Sequence, residues 1–182
     1  MRIAQFAPLV LAAILAGCAT NQRDVATCYD SFTGLRTDLI MDNPLEPGGE
    51  AREYLWLNAS RVFKTFTTYN YYLEVTYAAK AETGFLEIGP GQTLAIVADG
   101  REMKFAGSGS SSLRKKKGEV LNENALYSAQ ADQLRVIAGA QRVTVRVIGK
   151  TGLVQRDFGP QNFERFKKFV ELAAPAGPLP SK

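Results

Sequence analysis

The chain has 182 residues, 46% of them hydrophobic and 22% charged, which is enough for one domain with a real core. Its formal net charge of +4 is too mild an excess to argue for nucleic acid as a partner. It contains no histidine, which removes Ser-His-Asp and Cys-His nucleophile systems, HExxH metal sites and most zinc sites. Neither a metal, nor a cofactor, nor an enzymatic activity is expected.

The N-terminal stretch has a distinct composition. Arg2 supplies a short positive segment, no charge follows from Ile3 to Gln22, and Phe6 to Ala16 is apolar apart from Pro8. An apolar run of about ten residues falls short of the roughly 20 needed to span a bilayer. It has the length and flanks of a cleaved export signal. The run ends in Leu15-Ala16-Gly17-Cys18. This tetrapeptide resembles the lipobox of bacterial lipoproteins, and the resemblance covers only about the first twenty residues. It implies a signal peptide at 1–17 that is cut before Cys18, a diacylglycerol on the Cys18 sulfur, and usually a further acyl group on the new amino terminus. Two or more acyl chains make such anchoring stable, at about 0.8 kcal/mol per buried CH₂. Ala19 stands where an aspartate would resemble an inner-membrane retention signal. The resemblance therefore implies the outer membrane, facing the periplasm, with the inner membrane or the cell surface as alternatives. The expected partners are the membrane, through acylated Cys18, and an envelope protein or cell-wall component.

An acylated Cys18 leaves Cys28, the second of two cysteines, without an intramolecular partner. Cys28 then serves as a small buried hydrophobe or forms an intermolecular disulfide. Pairing of Cys18 with Cys28 would instead exclude the lipid.

Residues 18–28 are expected to be a lipidated tether, polar and aperiodic over Thr20 to Thr27. Residues 29–174 form a single α+β domain. A first strand in Tyr29 to Ile40 has only loose alternation. Tyr54 to Phe66 predicts a long strand, and Tyr69 to Ala79 alternates strictly, as a half-buried antiparallel strand does. Phe85 to Ile88 predicts a short strand. Thr93 to Ala98 and Arg101 to Ala106 flank Asp99-Gly100, a strong hairpin signal. Residues 107–124 combine GSGSSS with the charge run Arg114-Lys115-Lys116-Lys117, which predicts a long mobile loop. A helix with Ser128 as N-cap buries Leu134, Ile137 and Ala138. Arg142 to Ile148 and Leu153 to Phe158 form a hairpin. Gly159-Pro160 opens a second helix whose stripe is Phe163, Phe166, Val170 and Ala173. Residues 175–182 are a Pro-rich disordered tail. The sum is a mainly antiparallel sheet or sandwich of about seven or eight strands with two short helices in the C-terminal half.

Three candidate sites follow. Arg114, Lys115, Lys116 and Lys117 are suited to an anionic surface, or simply to a solvated loop. Trp56 and Tyr72 are the candidate exposed aromatics of a binding face, Tyr72 because it sits among Asn70, Glu74 and Thr76. An alternative to a binding module is a carrier of a small apolar ligand or lipid, with a pocket between sheet and helices lined by Phe63, Val75, Val145 and Phe166. The carboxylates Glu74, Glu87, Asp99, Glu102, Asp132 and Asp157 are scattered, and no spacing forces a catalytic pair together.

Overall fold

Alternation of buried inward side chains with mostly more exposed outward ones builds the two longest strands. In the computed structural model, which describes residues 18–22, 25–30, 33–46, 53–65 and 68–175, these are β4 (Glu53–Thr65) and β5 (Thr68–Lys80). They pair antiparallel along almost their whole length. Leu55, Leu57, Ala59, Leu73, Val75 and Tyr77 are buried on one face. The preceding strands are β1 (Cys18–Gln22), β2 (Val25–Tyr29) and β3 (Arg36–Ile40). After β5 come β6 (Gly91–Ala98), β7 (Arg101–Gly107), β8 (Arg114–Lys117), β9 (Val120–Ala129), α1 (Ala131–Gly139), β10 (Val143–Ile148), β11 (Leu153–Asp157) and α2 (Pro160–Ala173).

The strands form one antiparallel sheet in the order β1-β2-β3-β4-β5-β9-β7-β6-β10-β11, with β8 paired to β9. Eleven strands among the described residues replace the expected seven or eight. The sheet is open, with β1 and β11 at its edges, and β11 comes to lie beside the segment that leads into β4. Residues 43–46 extend the line of β3 beside β4, with the Leu45 N–H donating to Leu55 O and the Leu57 N–H to Asn43 O. The Glu46 N–H donates to Asp157 O at 3.4 Å, and Arg156 Nη2 lies 3.1 Å from Glu53 Oε1. The inward faces, with Leu134 and Ile137 of α1 and Phe166 and Phe169 of α2, make one continuous core.

Helix α2 is tied down at both ends. Near its start, the Asn162 amide donates to Asn43 Oδ1 at 2.9 Å and Pro44 O at 2.7 Å, and accepts from the Gly159 N–H at 2.8 Å. At its end, Arg61 Nη1 and the Tyr71 hydroxyl both donate to Ala173 O, at 2.7 and 2.8 Å. Arg135 of α1 donates to Ala174 O at 2.9 Å. No basic residue lies in the last turn of α2, so neighbouring elements supply the cations that its carbonyls favour.

Several expectations are corrected. Residues 18–28 are not an aperiodic tether, because β1 and β2 form a hairpin continuous with the sheet and Val25 and Ala26 are buried. Residues 107–124, expected to be a loop, hold β8 and half of β9. Strand β9 runs on to Ala129, so Ser128 is a strand residue and Gln130 is the N-cap of α1. Phe85 to Ile88 is irregular, yet Leu86 and Ile88 are buried. In α2, Phe169 is wholly buried while Phe163 and Val170 are only partly so. Cys28 is half-buried and disulfide-bonded rather than an unpaired thiol, and the β1–β2 register sets Cys18 opposite it. The signal segment 1–17 and residues 176–182 lie outside the described residues.

Candidate functional site

The basic run is carried on a short strand because β7 covers only one end of its edge of β9 and leaves the rest of that edge to be paired. Strand β7 pairs with β9 only at Gly107↔Tyr127. The chain then crosses through Gly109 and Ser110, both buried, and rejoins the same edge of β9 as β8, with Arg114↔Glu123 and Lys117↔Val120. The approach is close at Gly107, where an added Cβ would stand 2.6 Å from Leu126 O.

The four basic residues do different things. Arg114 turns inward, with Nε 3.5 Å from Glu123 Oε1 and 3.3 Å from Ser110 Oγ. Lys115, Lys116 and Lys117 are exposed, and none forms an ion pair among the described residues. Register puts Lys115 and Lys117 on the outward face with Asn122 and Val120, and Lys116 on the opposite side with Leu121.

Trp56 and Tyr72 are both half-buried on the outward face but stand apart, since Trp56 pairs with Thr76 and Tyr72 with Ser60. The Trp56 indole N–H donates to Asp42 Oδ1 at 3.0 Å, and the Tyr54 ring, half exposed, lies 6.2 Å away. Tyr72 lines a shallow open groove of about 310 Å³ with Ala106, Gly107, Ser108, Leu126 and Ser128, where β7 leaves β9. A second shallow groove, of about 430 Å³, lies over Asp99, Gly100, Gln141 and Arg142. There the Asp99 carboxylate accepts the Gln141 and Arg142 N–H groups at 3.0 and 2.8 Å, so Asp99 is a structural turn residue. None of the four residues expected to line a carrier pocket lines either groove. Val75, Val145 and Phe166 are wholly buried in the core, and the Phe63 ring packs against the Arg36 and Arg61 guanidinium groups, 4.9 and 4.5 Å from its centre.

The buried charges are residues that sequence reasoning did not single out. Asp38 accepts from Arg61 Nη2 at 2.6 Å, Arg36 Nη2 at 3.2 Å and Thr27 Oγ1 at 2.7 Å. Glu123 accepts the Ile88 N–H at 2.5 Å, the Glu87 N–H at 3.1 Å and the Ser110 hydroxyl. Both carboxylates are spent on neighbouring groups, and each ties an irregular or edge segment to the sheet. Burial pushes the Tyr71, Tyr77 and Tyr127 hydroxyls up from their ordinary value, with the Glu53 carboxylate adding to the effect at Tyr77. Among the described residues no cluster of His, Cys, Asp or Glu could hold a metal ion. The outward face of β4, β5, β9 and β8 carries lysine charge and partly exposed aromatic side chains. Compared with known proteins, the chain matches no family model, no curated protein and no solved structure.

Proposed function

We propose that the chain is a lipid-anchored protein of the bacterial cell envelope, a non-enzymatic binding or assembly module at the periplasmic face of the outer membrane. The observation that carries this reading is Leu15-Ala16-Gly17-Cys18 at the end of an uncharged apolar run. Cys18 lies in β1, the first strand among the described residues. With no spacer between Cys18 and β1, a lipid on that cysteine holds the domain directly against the bilayer. A histidine-free composition and buried carboxylates engaged in structural bonds support a binding role over a catalytic one. The chain has two cysteines, so a lipid on the Cys18 sulfur and the disulfide that Cys28 makes in the structure are alternative states, and the reading requires the acylated chain to lack that disulfide.

The reading is tested in a Gram-negative host fed an alkyne fatty acid. Label should enter the wild-type chain and follow the outer-membrane fraction, and Cys18→Ala should abolish both. Unlabelled protein in the soluble periplasmic fraction would refute it.

A further inference from the structure

The sheet register brings together residues that are far apart in sequence. One cross-strand row is Lys117–Val120–Lys80. The next is Lys115–Asn122–Ala78–Tyr54, and the one after contains Thr76 and Trp56. Adjacent strands lie about 4.8 Å apart, so Lys80 and Lys117 flank Val120 as immediate neighbours. All of these residues have outward parity, opposite the buried Leu121 and Glu123. Val120 and Tyr54 are close to half exposed, at 46% and 50%. Lys80, Lys115 and Lys117 are exposed and form no ion pair among the described residues. Three exposed carboxylates border this end, Glu82 and Glu119 in its turns and Asp42, which accepts from the Trp56 indole N–H at 3.0 Å, and Lys116 on the other side of the hairpin brings the positive charges to four.

We propose that this end of the outward face, with Tyr54, Trp56, Lys80, Lys115, Lys117 and Val120, docks on the anionic headgroups of a phospholipid leaflet. Excess positive charge calls for an anionic surface. The charges are lysines, which act as point charges on phosphate. Arginine would be expected for bidentate recognition of carboxylates on a protein partner, and lysine is depleted from protein–protein interface cores. The mixture of lysine with tyrosine, tryptophan and an exposed aliphatic side chain is the composition found at the headgroup level of membranes. The patch is remote from the anchor. Cys18 shares its row with Cys28, Thr37 and Val62, and Val62 is eight residues along β4 from Tyr54, about 26 Å at 3.3 Å per residue. Lipid at one end of β4 and lysines at the other give two attachment points, whose effects multiply. The proposal rests on the envelope location but needs no lipid on Cys18.

Trp56 is the single tryptophan of the chain, so its fluorescence reports on this patch alone. The full-length chain carrying Cys18→Ser is mixed with vesicles of phosphatidylglycerol and phosphatidylcholine, or of phosphatidylcholine only, each with brominated acyl chains. The expected result is a blue shift and bromine quenching of Trp56 with the anionic vesicles only, reversed at high salt. The triple variant Lys80→Gln, Lys115→Gln, Lys117→Gln should weaken this binding by about 100-fold, from about fivefold for each charge lost. Lys116→Gln, a control on the opposite side of the hairpin, should change it least. Equal quenching in phosphatidylcholine, no quenching in anionic vesicles, or quenching unchanged in the triple variant would each overturn the proposal. Failure of the anchor reading would leave these outcomes as they are, because the assay contains no acylated protein.

Discussion

The two faces of the β4–β5–β9 sheet obey different rules. The inward face is filled, and its three charged exceptions, Asp38, Arg61 and Glu123, are saturated by partners. The outward face keeps lysines without ion pairs, half-exposed aromatic rings and a shallow groove. On one face polar groups serve the fold, and on the other the fold holds polar groups out for something else. Substitutions should therefore separate cleanly, with inward changes costing stability and outward changes costing binding.

The largest effect is expected at the Asp38–Arg61 pair, which also anchors the end of α2. Asp38→Asn or Arg61→Leu leaves a buried partner uncompensated and should cost about 3–5 kcal/mol in urea unfolding. Replacing both with leucine should recover part of that loss. Glu123→Ala removes the acceptor of the Glu87 and Ile88 N–H groups and the Ser110 hydroxyl, and should cost about 3 kcal/mol. A near-neutral result at either site would erase the distinction between the faces.

A smaller effect comes from the buried tyrosines. Tyr71, Tyr77 and Tyr127 titrate above their ordinary value of 10.0 in the folded chain. The folded state then keeps protons that the unfolded state releases, so this contribution is complete below about pH 10 and declines as pH rises further. Thermal melts between roughly pH 8 and 11 should show the decline, and Tyr77→Phe should make it shallower. The smallest effect is expected outside. Lys115→Gln with Lys117→Gln should change unfolding free energy by no more than about 0.5 kcal/mol, as measured by the same urea titration. A larger loss would make the basic hairpin part of the fold rather than of a binding surface.

What the sequence revealed follows the same division. Where inward residues are apolar, as in β5, β7 and β10, alternation alone located the strands and their faces. Strand β9 was hidden because Glu123 occupies an inward position between Leu121 and Ala125, and the pattern is restored only when the Ile88 and Glu87 N–H groups are brought to it. The β1–β2 hairpin was hidden for a related reason. Its short strands pair with each other, and β2 gains its second partner from β3, as in the Thr27–Asp38 bond, so no alternation of apolar residues marks it. The basic run was visible as composition, but its division into inward Arg114, outward Lys115 and Lys117, and opposed Lys116 depends on pairing with β9. Lys80 and Tyr54 joined the same patch only through cross-strand register.

The state of the Cys18 sulfur is read directly from the intact mass and the N-terminal peptide mass of the chain purified from membranes. The expected chain begins at Cys18 and carries a diacylglyceryl group there. A chain that retains residues 1–17, or an unacylated Cys18 in a disulfide with Cys28, would contradict lipid anchoring at Cys18.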